Sequence, residues 1–439
     1  MKKLFGLFIP LCILGFIAFG ISVAVFGKNT SGINNHGITE SNFNDTFIVS
    51  GSVIESRNWE IASCPSVDLT LAGINTEVKP SDSDKCTVTL NNPSGKDIYV
   101  AISHSYDDSI LRISMRPSEI NIFDIFSAWK EVSAEITLPM GIYENLDITQ
   151  GSGDVNMTDI YASGVYVDIN SGTFSYTREV AYTGNNLNVN LNSGKAELNN
   201  ICSSNNSYIV NYGELSAKAN KPYVASNTEL DLNSGTAILT NAESEKYNLD
   251  IGSGRFEING LSGSGKIDMG SGSGKISFLE VNGYSNIDIG SGNLEISLPK
   301  NEAGSLIMDI GSGSIDVNYG GSVTKYHSSN CDDIVYLGNY TDHRDDGSDS
   351  RYFRDEDGTL YRYTDGKEYV ECGFEVEMGS GHISFKELPF TSSEYTEQLT
   401  NDSSASENAA DNGEITDSSS SETNEETTTT QSSVETGGN

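Results

Sequence analysis

The feature that most constrains this chain is a short motif that recurs about every twenty residues. It reads apolar, polar, apolar, small, Ser, Gly, any, apolar, polar, apolar. From Leu146 onward its glycines fall at Gly151, Gly172, Gly194, Gly213, Gly235, Gly254, Gly272, Gly292 and Gly313, in steps of 21, 22, 19, 22, 19, 18, 20 and 21. A tenth copy stands at Gly381, and the fourth is degenerate, with Tyr212 in place of Ser. Both flanks of each glycine alternate with period two, which is the periodicity of a strand. Each repeat is therefore strand, sharp corner, strand and return turn. One such unit cannot bury its inward row alone, whereas a stack buries a continuous column of Ile, Leu, Val and Phe. The expected fold is all-β: a parallel β-solenoid, β-helix-like, of roughly 20-residue coils. With successive coils ~4.8 Å apart, the nine from Gly151 to Gly313 make a rod of roughly 43 Å. A leucine-rich repeat has a similar period, but needs Leu at helical-side spacings and an Asn corner that are missing here. An antiparallel sandwich of hairpins is the competing architecture, and the unequal steps leave it open.

Repetition also disposes of a tempting site. "GLSGSGKI", Gly260 to Ile267, fits a phosphate loop up to its Lys, but Ile267 stands where Ser or Thr must hold Mg²⁺. The following residues alternate like a strand instead of opening a helix, so a dinucleotide fingerprint fails too. Glycine at a strand corner explains all the copies: it permits positive φ, and its missing side chain lets corners stack. Asn170, Asn192 and Asn233 beside the corners are placed to form hydrogen-bonded ladders.

Four residues before each motif glycine stands a column of Asp147, Asp168, Asn190, Ile209, Asp231, Asp250, Asp268, Asp288 and Asp309, with Glu377 in the last copy. Stacked in parallel, these share one outer face. Adjacent unit charges ~4.8 Å apart repel by roughly 0.9 kcal/mol even at water's dielectric constant. The speculative functional reading is a weak cation-binding face at Asp231, Asp250, Asp268, Asp288 and Asp309, with Ca²⁺ as the candidate ion. The plain reading is a solvated acidic face with no cofactor.

The rest of the chain divides around this array. Residues 1–27 open with Lys2 and Lys3, followed by 23 uncharged residues from Leu4 to Phe26. That length suits a single transmembrane anchor, since ~20 helical residues span a bilayer core. A cleaved signal peptide, with Ala18 and Gly20 near the cut, is the alternative. The two lysines keep the N-terminus cytoplasmic, so the bulk of the chain is expected outside the cell membrane. Residues 28–46 read as a linker, 47–145 as an N-terminal β region of the solenoid, and 146–318 as the repeat solenoid. A Tyr/Asp/Arg-rich insertion occupies 319–374, the last coil 375–390, and an acidic Ser/Thr/Glu tail 391–439. The tail holds eleven acids and no Lys or Arg, a composition expected to be disordered. Formal net charge is −36, which argues against nucleic acid as a partner, because phosphate binding needs clustered Lys and Arg.

Two cysteine pairs, Cys64 with Cys86 and Cys331 with Cys372, bracket short stretches and fit disulfides outside the cytoplasm. Cys202 is left over, and buried free thiols are the alternative. In the insertion, Tyr352, Phe353, Tyr361, Tyr363 and Tyr369 lie among Arg and Asp residues. They are speculative ligand-binding residues that suit a sugar or a protein contact. A structural hairpin capping the open end of the stack, turning at Asp365-Gly366, is the plain reading. Five scattered histidines and the lack of any HExxH or GxSxG give catalysis little support, and no catalytic residue is assigned.

The "DIGSG" coils, "INTEVKPSDSDKCTVTL" and the "ITLP" of Ile136 to Pro139 resemble a known family, the "putative adhesin" β-strand-repeat proteins of bacterial cell envelopes. The resemblance covers about residues 60–320 and 375–386. It implies a membrane-linked extracytoplasmic solenoid, with some relatives tied to envelope stress, and supplies no catalytic residues. The insertion and the long acidic tail depart from the family pattern. The expectation is a non-enzymatic, membrane-anchored binding protein, an adhesin or an envelope-stress or assembly protein, whose partner is an envelope protein or glycan. A β-helix carbohydrate-active enzyme (polysaccharide lyase or hydrolase) and a structural spacer are the alternatives.

Overall fold

The computed structural model describes residues 66–71, 73–91, 133–219, 223–300, 304–327 and 373–399. It also describes the strands Asp45–Val49, Glu55–Glu60, Ile98–Asp107, Ile110–Pro117, Val335–Leu337, Arg351–Arg354, Leu360–Thr364 and Lys367–Val370. The segment Leu4–Phe26 lies outside them, and among the described residues no helix is long and apolar enough to cross a membrane.

Each motif copy folds as strand, corner and strand, and like strands of successive copies pair in parallel. Ala225–Leu232 pairs with Ser244–Ile251, which pairs with Ser264–Met269. On the opposite wall, Thr236–Thr240 pairs with Arg255–Leu261, which pairs with Ser273–Phe278. This is the parallel solenoid, and the antiparallel sandwich is not formed. Two long strands, Thr173–Leu191 and Lys195–Val210, run unbroken through the return edge. They join both walls into one 28-stranded sheet. The inward rows make the core. Leu249 and Ile251 are 0% exposed, and Phe256 and Ile258 are 1% exposed. Burying four such side chains per coil contributes on the order of 8 kcal/mol, which is why the stack and not the single coil is stable.

The order of coils in space differs from their order in the sequence at both ends. The last copy, Gly373–Met378 with His382–Glu387, does not stack outside the Gly313 copy. It slots between Tyr284–Ile289 and Gly304–Ile310 on one wall, and between Asn293–Leu298 and Ser314–Tyr319 on the other. At the N-terminal end, Ser66–Leu71 likewise slots between Ile110–Pro117 and Ile142–Gln150. The outermost rungs then carry antiparallel partners: Ile98–Asp107 and Lys85–Asn91 at one end, Val335–Leu337 and Ser322–His327 at the other. Reversed polarity ends the parallel stack and covers the open edges. Strand pairing is blind to chain order, so a one-dimensional repeat does not reveal this intercalation.

Two expectations about the corners need correction. In the first copy the corner is Gly153, not Gly151. Asp168 pairs with Thr149, and Ile169 pairs with Gln150, so Gln150 holds an inward, apolar-type position. Its side chain is fully buried and donates to the carbonyls of Gly153 and Thr173. Positive φ is also not the general reason for glycine. It occurs at Gly73, Gly153 and Gly172 but not at Gly254. At Gly254 a Cβ would lie 2.6 Å from Leu232 Cγ and 2.8 Å from the Gly235 carbonyl oxygen. Close approach of the coils, not backbone handedness, excludes a side chain there. The asparagine ladder forms in part: Asn192 donates to Asn170 (2.9 Å), whereas Asn233 donates to Asn211 (3.0 Å), whose coil lies between.

The folded part also extends past Thr391. Residues 392–399 form a short helix. Thr391 caps it: its amide donates to the Glu394 carboxylate and its hydroxyl accepts from the Glu394 amide, a capping box. Tyr395 is buried, and Leu399 lies over Gly260, where no Cβ stands in its way. The acidic composition masked this one apolar turn.

Candidate binding surfaces

Strand register settles which acids form a row. Asp168 pairs with Asn190, Asn190 with Ile209, and Ile209 with Asp231. From there the row runs Asp231, Asp250, Asp268, Asp288, Glu377 and Asp309, each beside the next. Six acids thus stand on consecutive coils, with Glu377 between Asp288 and Asp309 because the last coil is intercalated. All point outward, opposite the buried Ile, Leu and Met of the same strands. Lys266 crosses to Asp268 at 3.0 Å, and its ammonium pKa is raised chiefly by that hydrogen bond. Among the described residues no three or more His, Cys, Asp or Glu side chains converge as a metal ion requires. Adjacent rungs offer separate carboxylates, whereas Ca²⁺ takes six to eight oxygens.

Asp147 does not belong to this row. It pairs with Asp68 on one side and Tyr166 on the other. Burial, and then the neighbouring Asp68 charge, push its carboxyl up to about 6. Burial likewise raises Asp68, with Arg112 at 3.8 Å opposing the shift.

The return edge carries a feature the sequence reading missed. Between Thr177 and Tyr182 the ladder with the next coil shifts register, so residues 178–181 bulge from the sheet. Arg178 turns inward and is 2% exposed. Its guanidinium donates to the Ile160 carbonyl (3.0 Å), the Tyr176 hydroxyl (2.6 Å) and the Tyr182 carbonyl (3.2 Å). It also lies 5.0–5.7 Å from the ring centroids of Tyr161, Tyr176 and Tyr182, a cation–π cage. Opposite in direction, Val180 is 64% exposed at the bulge. The signal was present in "SYTREVAYTG", where alternation fails within a long step of the repeat.

Cys202 and Cys86 are both buried free thiols, and burial pushes the Cys86 thiol up to about 12. Cys64, Cys331 and Cys372 lie outside the described residues. In the insertion, three strands form a separate antiparallel sheet in which Thr364 pairs with Lys367, as the hairpin reading requires. Phe353 pairs with Tyr361, Arg351 with Tyr363, and Arg362 with both Tyr352 and Tyr369. The five aromatics are therefore spread over three rungs. Beside Cys202, Tyr223 and Glu243, a cavity of about 40 Å³ has room for a few waters at most.

Against this geometry, three comparisons with known proteins can be placed. No curated protein matches the chain. A crystal structure described as a "putative adhesin" from Bacteroides fragilis is similar over 76% of this chain and 97% of its own, at 10% identity and a TM-score of 0.30. One described as a "putative cell adhesion protein" from Clostridium sporogenes covers 76% of this chain and 100% of its own, at 11% identity and a TM-score of 0.15. Neither superposes closely enough to carry an argument. The model of the family described as Toastrack DUF4097 matches residues 64–337, well over half of the 439 residues. That span holds most of the stacked coils, and the chain belongs to the Toastrack DUF4097 family of β-solenoids.

Proposed function

We propose that this protein is a non-enzymatic rod, held by Leu4–Phe26 at the cell membrane with its bulk outside, and that it acts by binding an envelope protein or glycan, as an adhesin or an envelope-assembly or stress protein. The observation that carries the reading is how the polar residues are spent. Among the described residues, the acids from Asp231 to Asp309 face outward in a single-residue row instead of converging on one enclosed point. Catalysis by acid and base needs groups within hydrogen-bond reach of one reacting atom in a shielded site. A row of regularly spaced side chains on a flat wall suits an extended partner.

Capture from intact envelopes tests the reading. The full chain is compared with a variant in which a short Gly-Ser linker replaces residues 338–372, leaving the outer rungs in place. Retention of the same envelope protein or glycan by the full chain supports it. Turnover of a polysaccharide panel, lost on mutating a pair of outer acids, would replace it with the carbohydrate-active enzyme. Labelling of Ser380→Cys in intact cells by a membrane-impermeant maleimide tests the topology, and protection from the label would overturn it.

A further inference from the structure

We propose that the return edge around Val180 is a docking site for a cationic, amphipathic segment of another protein. The proposal goes beyond the binding reading above by naming a place and a partner chemistry. Three observations carry it. First, the bulge is built. A buried guanidinium in a cage of three tyrosines holds the base of residues 178–181, and the same residues turn Val180 out to 64% exposure. Bulges of this kind re-aim a side chain where a ladder would have hidden it.

Second, the apolar surface continues along the edge. Ile142, 58% exposed, pairs in register with Tyr161. The Tyr161 ring packs edge-on against Tyr182 at 5.9 Å. Val180, Tyr182, Tyr161 and Ile142 thus form a strip across three coils, with half-exposed tyrosines of the type enriched at protein contacts. Farther along the same edge, the chain's own helix 392–399 sets Leu399 over the return turn at Gly260, while its Tyr395 hydrogen-bonds Ser277 on the adjoining wall. A short helix is therefore a shape that this edge accepts.

Third, the rim selects the partner. Glu144, Asp159 and Glu179 flank the strip, and the one guanidinium at its centre is buried. An acidic rim about an apolar strip attracts Lys or Arg beside apolar anchors and repels a second copy of a chain at −36.

The test is fluorescence anisotropy with the full chain and two labelled peptides of equal charge, one of Lys and Leu at helical spacing and one of Lys and Ser. The Lys/Leu peptide is expected to bind at least ten-fold more tightly at 0.15 M salt. Val180→Glu with Ile142→Glu should remove that margin, while Ile238→Glu, an exposed apolar residue on the opposite wall, should keep it. Circular dichroism checks that both variants remain folded, and Val180→Ser with Ile142→Ser replaces the first if it does not. Equal binding of the two peptides overturns the proposal, as does equal loss in the Ile238 variant. Self-association of the wild type, or its binding to neutral phosphatidylcholine vesicles, abolished by the same double substitution also overturns it by reassigning the strip. Envelope capture that persists in the double variant leaves the general binding reading intact while refuting this site.

Discussion

Replacing Asp250 by Asn should stabilise the solenoid, and by an amount that salt controls. Asp250 stands between Asp231 and Asp268 in a parallel ladder, so two like-charge neighbours lie one coil away. At ~4.8 Å and water's dielectric constant each pair repels by about 0.9 kcal/mol, or about 1.7 kcal/mol for the two. Lys266, held over Asp268, also feels the Asp250 charge and gives up part of that attraction. The expected net gain is about 1 kcal/mol at ~10 mM salt, and about a quarter of that at 1 M, where the Debye length falls to ~3 Å. Asn keeps the outward polar position and can bond along the ladder as Asn190 does to Asp168. The assay is thermal and urea unfolding of wild type and variant across a salt series, where a gain of ~1 kcal/mol appears as about 2 °C. Loss of stability at low salt refutes the reasoning. So does a gain that does not change with salt, because it would come from packing or propensity instead of charge. Millimolar Ca²⁺ should stabilise the wild type no more than other salt of equal ionic strength, since no rung supplies a full oxygen shell.

Other perturbations probe the rest of the architecture. Gly260→Ala puts a Cβ at 2.8 Å from Leu399 Cδ1 on a backbone with φ of 75°, and should cost about 1–3 kcal/mol and expose helix 392–399 to proteolysis. The Asp147 carboxyl is raised to about 6 in the fold, so protonation favours the folded state. Stability should therefore rise as pH falls from about 6 towards the ordinary carboxylate value near 4, and Asp147→Asn should flatten that part of the profile in urea midpoints. Ser291→Cys paired with Ser380→Cys should form a disulfide under mild oxidation, because those corners lie on adjacent rungs. Ser291→Cys with Ser312→Cys should not, since the last coil separates them, and the reverse result would sink the intercalated order. Cys86 and Cys202 should resist thiol reagents in the folded protein and react only on unfolding, as counted by absorbance.

What the sequence determined by itself is the local unit and its repetition. Alternation around each glycine fixes two strands and the inward side chains, because a strand has only two faces; Leu249, Ile251, Phe256 and Ile258 were readable as core for that reason. Spacing near twenty fixes the stack, and the acidic outer row from Asp231 to Asp309 follows from it. Tertiary structure decided the rest. Intercalation of the last coil rests on which edges remain unpaired, and hydrogen-bonded ladders hold no record of chain order. The first corner moved to Gly153 because the buried Gln150 amide nitrogen donates to carbonyls inside the stack, a choice no apolar pattern can signal. The bulge at 178–181 depends on one guanidinium turning inward among Tyr161, Tyr176 and Tyr182, the last two its near neighbours in the chain. A buried charge runs against the apolar pattern of the inward rows, and that hid the cage, and with it the apolar strip on the return edge.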